Sequence, residues 1–256
     1  MTTRWRLIVL VPVLLVLGTA ATEIILTLPS FGHPLTRYGM TVNTLAPALR
    51  NVSNAVTSVM YDFRGIDTLG EESMLICAVT AAVMLLRGRR GEDGNEQAGR
   101  VSGRAWAERS DAMVLMCRLF ATMLFLFGVY VVLHGTVTPG GGFQGGVIAA
   151  SSFTLLYLGG GYMVWRRMLH SPVLVALEGV GGLAYVLCAA VPLAFGYSAL
   201  QNVLPLGNWK DLYSGGLMVI INIAVGIAVI GSFAALLLEF MEETRVPKGP
   251  VAEEDT

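Results

Sequence analysis

The sequence predicts an all-α integral membrane protein: six transmembrane helices plus one amphipathic helix on the outer surface. Three observations carry that prediction. Of the 256 residues, 54% are hydrophobic and 14% charged, where a soluble domain carries about a quarter charged. Mean hydropathy is +0.65. Apolar runs of about twenty residues, the length that crosses a bilayer as helix, recur along the chain. The net charge of −1 leaves no electrostatic footprint for nucleic acid. Cys77, Cys117 and Cys188 stand singly inside apolar runs, so they read as small packing residues rather than a disulfide framework or metal site. No catalytic set, metal site or cofactor is expected.

The spans fall at 7–28, 69–86, 112–134, 143–165, 171–191 and 213–239. The first, "LIVLVPVLLVL" after Arg4 and Arg6, has the outline of a signal peptide with "GTAA" as its cleavage site. Hydrophobicity continues through "EIILTL" to Leu28, however, and an uncleaved span is the better reading. Glu23 lies near the outer end of this span.

Between the first two spans, Val52, Ala55, Val56, Val59, Met60 and Phe63 recur at helical spacing with polar residues between them. That is the amphipathic helix, about three turns long, with its apolar side expected against lipid or a partner subunit. "DFRGIDTLGEE" (62–72) then opens the second span. Thr68-Leu69-Gly70-Glu71 fits a capping box, and Glu71 could serve as that cap or as an ion site.

"RGRRGEDGNEQAGRVSGRAWAERSD" (87–111) is charged and glycine-rich, a solvated cytoplasmic linker. The chain therefore divides into a two-span module with the outer helix (1–90), a linker (91–111), a four-span module (112–245) and a tail (246–256). Arg118, one and a half turns into the third span, can snorkel to the inner surface.

"HGTVTPGGGFQGG" (134–146) joins the third and fourth spans with six glycines, a proline and no charge. Pro139, Gly140, Gly141 and Gly142 break the backbone where the third span reaches the outer side. No Gly-Lys-Ser/Thr follows, so this is not a phosphate loop. Gly142 and Gly146 form a G-x-x-x-G suited to close helix approach. Irregular backbone at membrane depth survives only when buried in protein or lining an aqueous cavity. The segment Pro139, Gly140, Gly141, Gly142, Phe143, Gln144, Gly145 and Gly146 is therefore expected to fit closely against a neighbour, as an assembly contact. His134 beside it could titrate near neutral pH.

Charge inside a span is costly, at least about 2.5 kcal/mol at the bilayer centre. Glu178, in the fifth span, shares a helix face with Gly181, Gly182 and Tyr185. It reads either as a proton or cation relay or as an acid fixing a helix contact. Asn222, aligned with Gly215, Met218 and Gly226 in the sixth span, reads as a packing residue.

At "HGTVTPGGGFQGG" the chain resembles the B subunit of Mrp-type multisubunit sodium/proton antiporters, a likeness that covers about 112–240. "LPSFGHP" (28–34) and "DFRGIDTLGE" (62–71) are similar to the E-type subunit domain of membrane-bound hydrogenases. The resemblance implies a complex of several membrane subunits that exchanges Na⁺ for H⁺ in the plasma membrane. Large subunits related to complex I would hold the lysine–glutamate proton channels there. No span of this chain contains lysine, so the implied role is that of a non-catalytic subunit that serves assembly and lines an ion path. The resemblance also strengthens the ion-site reading of Glu71 and leaves Glu71, Glu178, Glu23 and His134 as candidate path residues. A membrane-arm subunit of a hydrogenase-like redox complex is the alternative. An autonomous channel is disfavoured by the lack of a repeat, and an intramembrane protease by the lack of a Ser/His or metal-binding pair.

Orientation follows from the basic residues. With a cytoplasmic start, the inner segments hold twelve arginines and lysines and the outer segments four, which puts both termini in the cytoplasm. An impermeant thiol reagent applied to intact cells should therefore label Gly207→Cys and spare Asn95→Cys; the reverse pattern would overturn the topology.

Overall fold

The computed structural model describes residues 3–28, 37–92 and 110–243. Those residues form helices and turns, with no strand among them: α1 (Thr3–Thr27), α2 (Arg37–Arg50), α3 (Ala55–Ser58), a π-helical turn (Val59–Phe63), α4 (Gly65–Glu92), α5 (Asp111–Leu133), α6 (Gly142–Met168), α7 (Ser171–Ala194) and α8 (Leu217–Glu243). Five of them, α1, α4, α5, α7 and α8, are long and apolar enough to cross a membrane, and α6 runs for 27 residues. Most of "LPSFGHP", most of the expected linker and the C-terminal tail lie outside the described residues.

The chain forms two compact units, Met1–Thr41 and Val42–Thr256. In the first unit, α1 is exposed from Leu10 to its end. Its Thr19, Thr22 and Thr27 hydroxyls donate to carbonyls three or four residues back, which satisfies these three donors on an apolar helix.

The second unit is built round α8. Buried residues make up 11% of the apolar stretch in α4 and in α5, 33% in α7 and 67% in α8. A helix covered on most sides is a central post, and α4, α6 and α7 pack on it while α5 pairs with α6. Small residues set the spacing, since helix association in lipid relies on close packing. A Cβ on Gly181 of α7 would stand 2.5 Å from the Ala224 carbonyl oxygen and the Ala228 nitrogen of α8. A Cβ on Gly145 of α6 would stand 2.6 Å from the Gly128 oxygen of α5. Two apolar clusters lie along α8, one around Tyr185, Met218, Ile221 and Val225, the other around Val79, Leu174, Ala234 and Leu238.

Three local readings are corrected by the fold. Arg37–Arg50 is helical, an element the periodicity does not mark; it ends where Asn51 adopts the left-handed conformation at φ 55. The amphipathic stretch is not a regular three-turn helix but one α-turn followed by a π-turn. Its buried side chains are Val52, Thr57, Ser58 and Tyr61, while Val56 and Phe63 are exposed. What this segment faces is a turn of open carbonyls, so polar residues turn inward. Arg50 donates to the Asp62 carboxylate and pins the far side. Finally, α4 starts at Gly65, which puts Thr68 inside the helix, and its hydroxyl donates to the Met60 carbonyl at 2.8 Å rather than capping.

Candidate functional site

The glycine turn is held from two directions. His134 closes α5, its ring stacked 3.9 Å from that of Tyr130 and its Nδ1 3.0 Å from the Tyr130 carbonyl. The chain then leaves helical geometry, so carbonyls 135–138 need other donors. Asn54 supplies two: its Nδ2 donates to Gly135 O at 2.8 Å and to Thr138 O at 3.0 Å. Thr57 donates to Gly135 O as well, and Ser53 to Val137 O at 2.6 Å.

From the other side, Asn222 of α8 bridges the end of α5 and the start of α6. Its Nδ2 donates to Val132 O, and its Oδ1 accepts the Gly142 N–H at 2.6 Å. One amide thus adds a donor to the Val132 carbonyl, which also accepts the Gly135 N–H at 3.2 Å, and satisfies the open Gly142 N–H at the start of α6. Gly140 and Gly141 hold φ of 142° and 150°, backbone that a side chain would strain. A Cβ on Gly142 would meet the Asn222 carbonyl oxygen at 2.4 Å, and one on Gly146 would meet Val229 at 2.7 Å. Gly141, Gly142, Gly145 and Gly146 therefore spend their smallness inside this chain, Phe143 packs partly buried on the α8 core, and Pro139 and Gln144 stay exposed.

A second polar group begins beneath this turn. Tyr61 is buried with its hydroxyl facing the Gly142 amide; burial raises its ionisation above the usual tyrosine range, the amide offsets part of that, and Glu72 and Glu71 add to it. Tyr61 stays a neutral donor at any physiological pH. Tyr185 of α7 donates to Gly65 O at 2.8 Å, tying α7 to the first turn of α4. Deeper along the same seam lie three buried polar side chains: Glu72 of α4, Glu178 of α7 and Ser232 of α8.

The structure brings only some of the expected residues together. Glu178 is buried between α7 and α8, where a Cβ on Gly231 would stand 2.5 Å from the Glu178 nitrogen. Glu71 is exposed on α4, and its neighbour Glu72 is the buried acid. Glu23 is exposed on α1, in the other unit. His134 is half-buried at the end of α5, with its ring nitrogen on its own helix. The sequence alone does not single out Asn54, Tyr61 and Glu72. A signal for Glu72 exists: it shares the stripe of Thr68, Leu75 and Val79, which turns toward α8, whereas Glu71 does not. Among the described residues, no three of His, Cys, Asp and Glu are placed to hold a metal ion.

Residues 112–235, which run from α5 into α8, match the family described as a domain related to the MnhB subunit of Na⁺/H⁺ antiporters. The B-type subunit of a Bacillus subtilis Na⁺/H⁺ antiporter is 30% identical over 132 residues, 49% of this chain and 89% of that one. The chain belongs to the MnhB family. Its fold resembles a chain of the membrane-bound sulfane sulfur reductase, an archaeal respiratory membrane complex, with a TM-score of 0.69 and 28% identity over 92% of this chain and 98% of the other. It also resembles the Mrp complex of a Dietzia species, with a TM-score of 0.66 and 20% identity over all of this chain and 27% of the matched one. The MnhB-type region supplies the glycine turn, Glu178, Asn222 and Ser232. Asn54, Tyr61 and Glu72 come from the part before it, so the site is built across both parts of the sequence.

The close fit of this MnhB-type turn sets a test. Gly142→Ala should cost about 1–3 kcal/mol by overpacking against backbone, read as a lowered unfolding temperature of the purified protein in detergent. Gly179→Ala, with nothing within 4 Å of the added methyl, should cost nothing. Equal unfolding temperatures for the two variants would contradict the fit.

Proposed function

We propose that this chain is a non-catalytic membrane subunit of a multisubunit antiporter that exchanges Na⁺ for H⁺, and that it serves assembly while lining part of an ion path. It crosses the plasma membrane six times, α6 included, with both termini cytoplasmic. Membership of the MnhB family, a family of antiporter subunits, supports the reading. The observation that carries it furthest is the seam of buried polar side chains between α4, α7 and α8, where an apolar helix contact would be the cheaper design. Large antiporter subunits related to complex I are the expected neighbours. Lipid covers the exposed apolar faces of α5 and α7 that no partner takes.

Assembly through "PGGGFQGG" falls to its exposed members, Pro139 and Gln144, because the glycines are occupied within the chain. Glu71, Glu23 and His134 are path candidates from their positions at or near the ends of spans.

A second reading has its own support. The likeness to a chain of the sulfane sulfur reductase covers nearly the whole of both chains, which favours a membrane-arm subunit of a respiratory complex. Purification in mild detergent separates the two. Co-purifying large antiporter subunits, with Na⁺/H⁺ exchange in everted vesicles that Gln144→Trp abolishes along with co-purification, is the expected result. Co-purifying iron–sulfur or hydrogenase-like subunits would replace the antiporter reading with the redox one. A complex unaffected by Gln144→Trp would remove the assembly role of the motif.

A further inference from the structure

Three helices place unsatisfied oxygens on one seam. Glu72 of α4 is 2% exposed, and neither carboxylate oxygen has a hydrogen-bond partner. Glu178 of α7 is 6% exposed with Oε1 unbonded, and Ser232 of α8 is fully buried with its hydroxyl unbonded. An acid that merely fixes a helix contact spends its oxygens on that contact, because a buried polar atom left bare costs about 1–3 kcal/mol. These oxygens are not spent.

Their placement is defined by the helix crossings. A Cβ on Gly182 of α7 would meet Ile76 of α4 at 2.8 Å, and Tyr185 reaches Gly65, so α4 and α7 run antiparallel and cross at that level. Glu72 lies one turn to one side of the crossing and Glu178 one turn to the other. Ser232 follows Gly231, whose Cα faces the Glu178 backbone, and its hydroxyl is the side-chain group beside the Glu178 carboxyl without closing a bond of ordinary geometry. Tyr61 and Tyr185 lie near Glu72, Glu71 beside it in sequence is exposed, and Glu239 lies buried further along α8. The spans α7 and α8 contain no basic residue, nor does α4 before Arg87. Among the described residues, neither acid forms an ion pair with a basic side chain.

We propose that Glu72 and Glu178 form a two-carboxyl proton relay through this subunit, with the Ser232 hydroxyl as the donor–acceptor beside Glu178. Because the two carboxyls stand about two turns apart, the proton passes through bridging water: a carboxyl O–H bond breaks as a water O–H forms, another water O–H breaks as a bond to the other carboxylate forms, and the negative charge moves the opposite way. No other reactant is consumed. A proton rather than Na⁺ is the ligand because the carboxyls lie on opposite sides of the Ile76–Gly182 crossing, whereas a bound cation needs its oxygens converging on one point. This deepens the ion-path clause of the proposed function and rests on it.

The test uses native membranes holding the full-length chain in its complex. Dicyclohexylcarbodiimide adds to protonated carboxyls in apolar surroundings, and mass spectrometry of this chain locates the adduct. Labelling at Glu72 or Glu178 should fall as pH rises and be indifferent to Na⁺. Glu178→Gln should move the pH midpoint of Glu72 labelling by about one unit, a tenfold change in rate at fixed pH, and Glu72→Gln should do the same to Glu178. Absence of labelling at both residues, or midpoints unmoved in both variants, overturns the relay. Labelling suppressed by Na⁺ overturns it in favour of a cation site. Because the readout belongs to this chain alone, it can fail while antiporter subunits still co-purify, and succeed where they do not.

Discussion

The Asn222 side chain holds together two helix ends that would otherwise stand open. Between His134 and Gly142 regular helix gives way to turn bonds such as Thr138 N–H to His134 O at 2.9 Å, which leaves further carbonyls to side-chain donors. Asn222 bonds the Val132 carbonyl near the end of α5 and the first amide of α6, while Asn54 and Thr57 cover carbonyls in between. Everything else in the second unit is arranged to allow this. The amide can reach both partners only if α5 and α6 lie within glycine distance of α8, which is what Gly142, Gly146 and Gly226 permit. A buried amide so fully used specifies register as well as contributing stability.

That constraint explains why the polar seam exists beside it. Once α8 is the covered post, any side chain on α4 or α7 that turns toward it is removed from lipid and water together. Glu72, Glu178 and Tyr185 do so, and Tyr61 closes the seam at the end where the glycine turn sits. Within the second unit, the MnhB-type region and the described residues from Val42 to α4 are joined by Asn54 at the turn and by Tyr185 at the first turn of α4.

Much of this is legible in the sequence. Apolar length marks the long helices to within a few residues, and the glycine count marks a close approach at 140–146. Glu178 is conspicuous because a lone acid in a span has few cheap explanations. The failures have physical causes. In 52–63, periodicity assumes that apolar residues turn inward, but the neighbour here is a set of carbonyls, so Thr57, which donates to Gly135 O, wins the inner face over Val56. At Glu71 and Glu72, two adjacent acids point in directions about 100° apart on a helix, and only the stripe that Glu72 shares with Thr68, Leu75 and Val79 says which direction is inside. Asn222 reads as packing because its sequence neighbours give no hint that two helix ends lie within reach. Hydrogen-bond debts of that kind belong to the tertiary structure.

The most direct test of the clamp is a double-mutant cycle between its two asparagines. Asn54→Ala and Asn222→Ala each expose part of the same turn, so loosening by one removes much of what the other can lose. Unfolding of the purified protein in detergent should show the double variant falling short of the summed single effects by about 0.5–3 kcal/mol. Strict additivity would mean that the two residues act on independent structures, and would contradict a turn held jointly by α8 and the 53–58 segment.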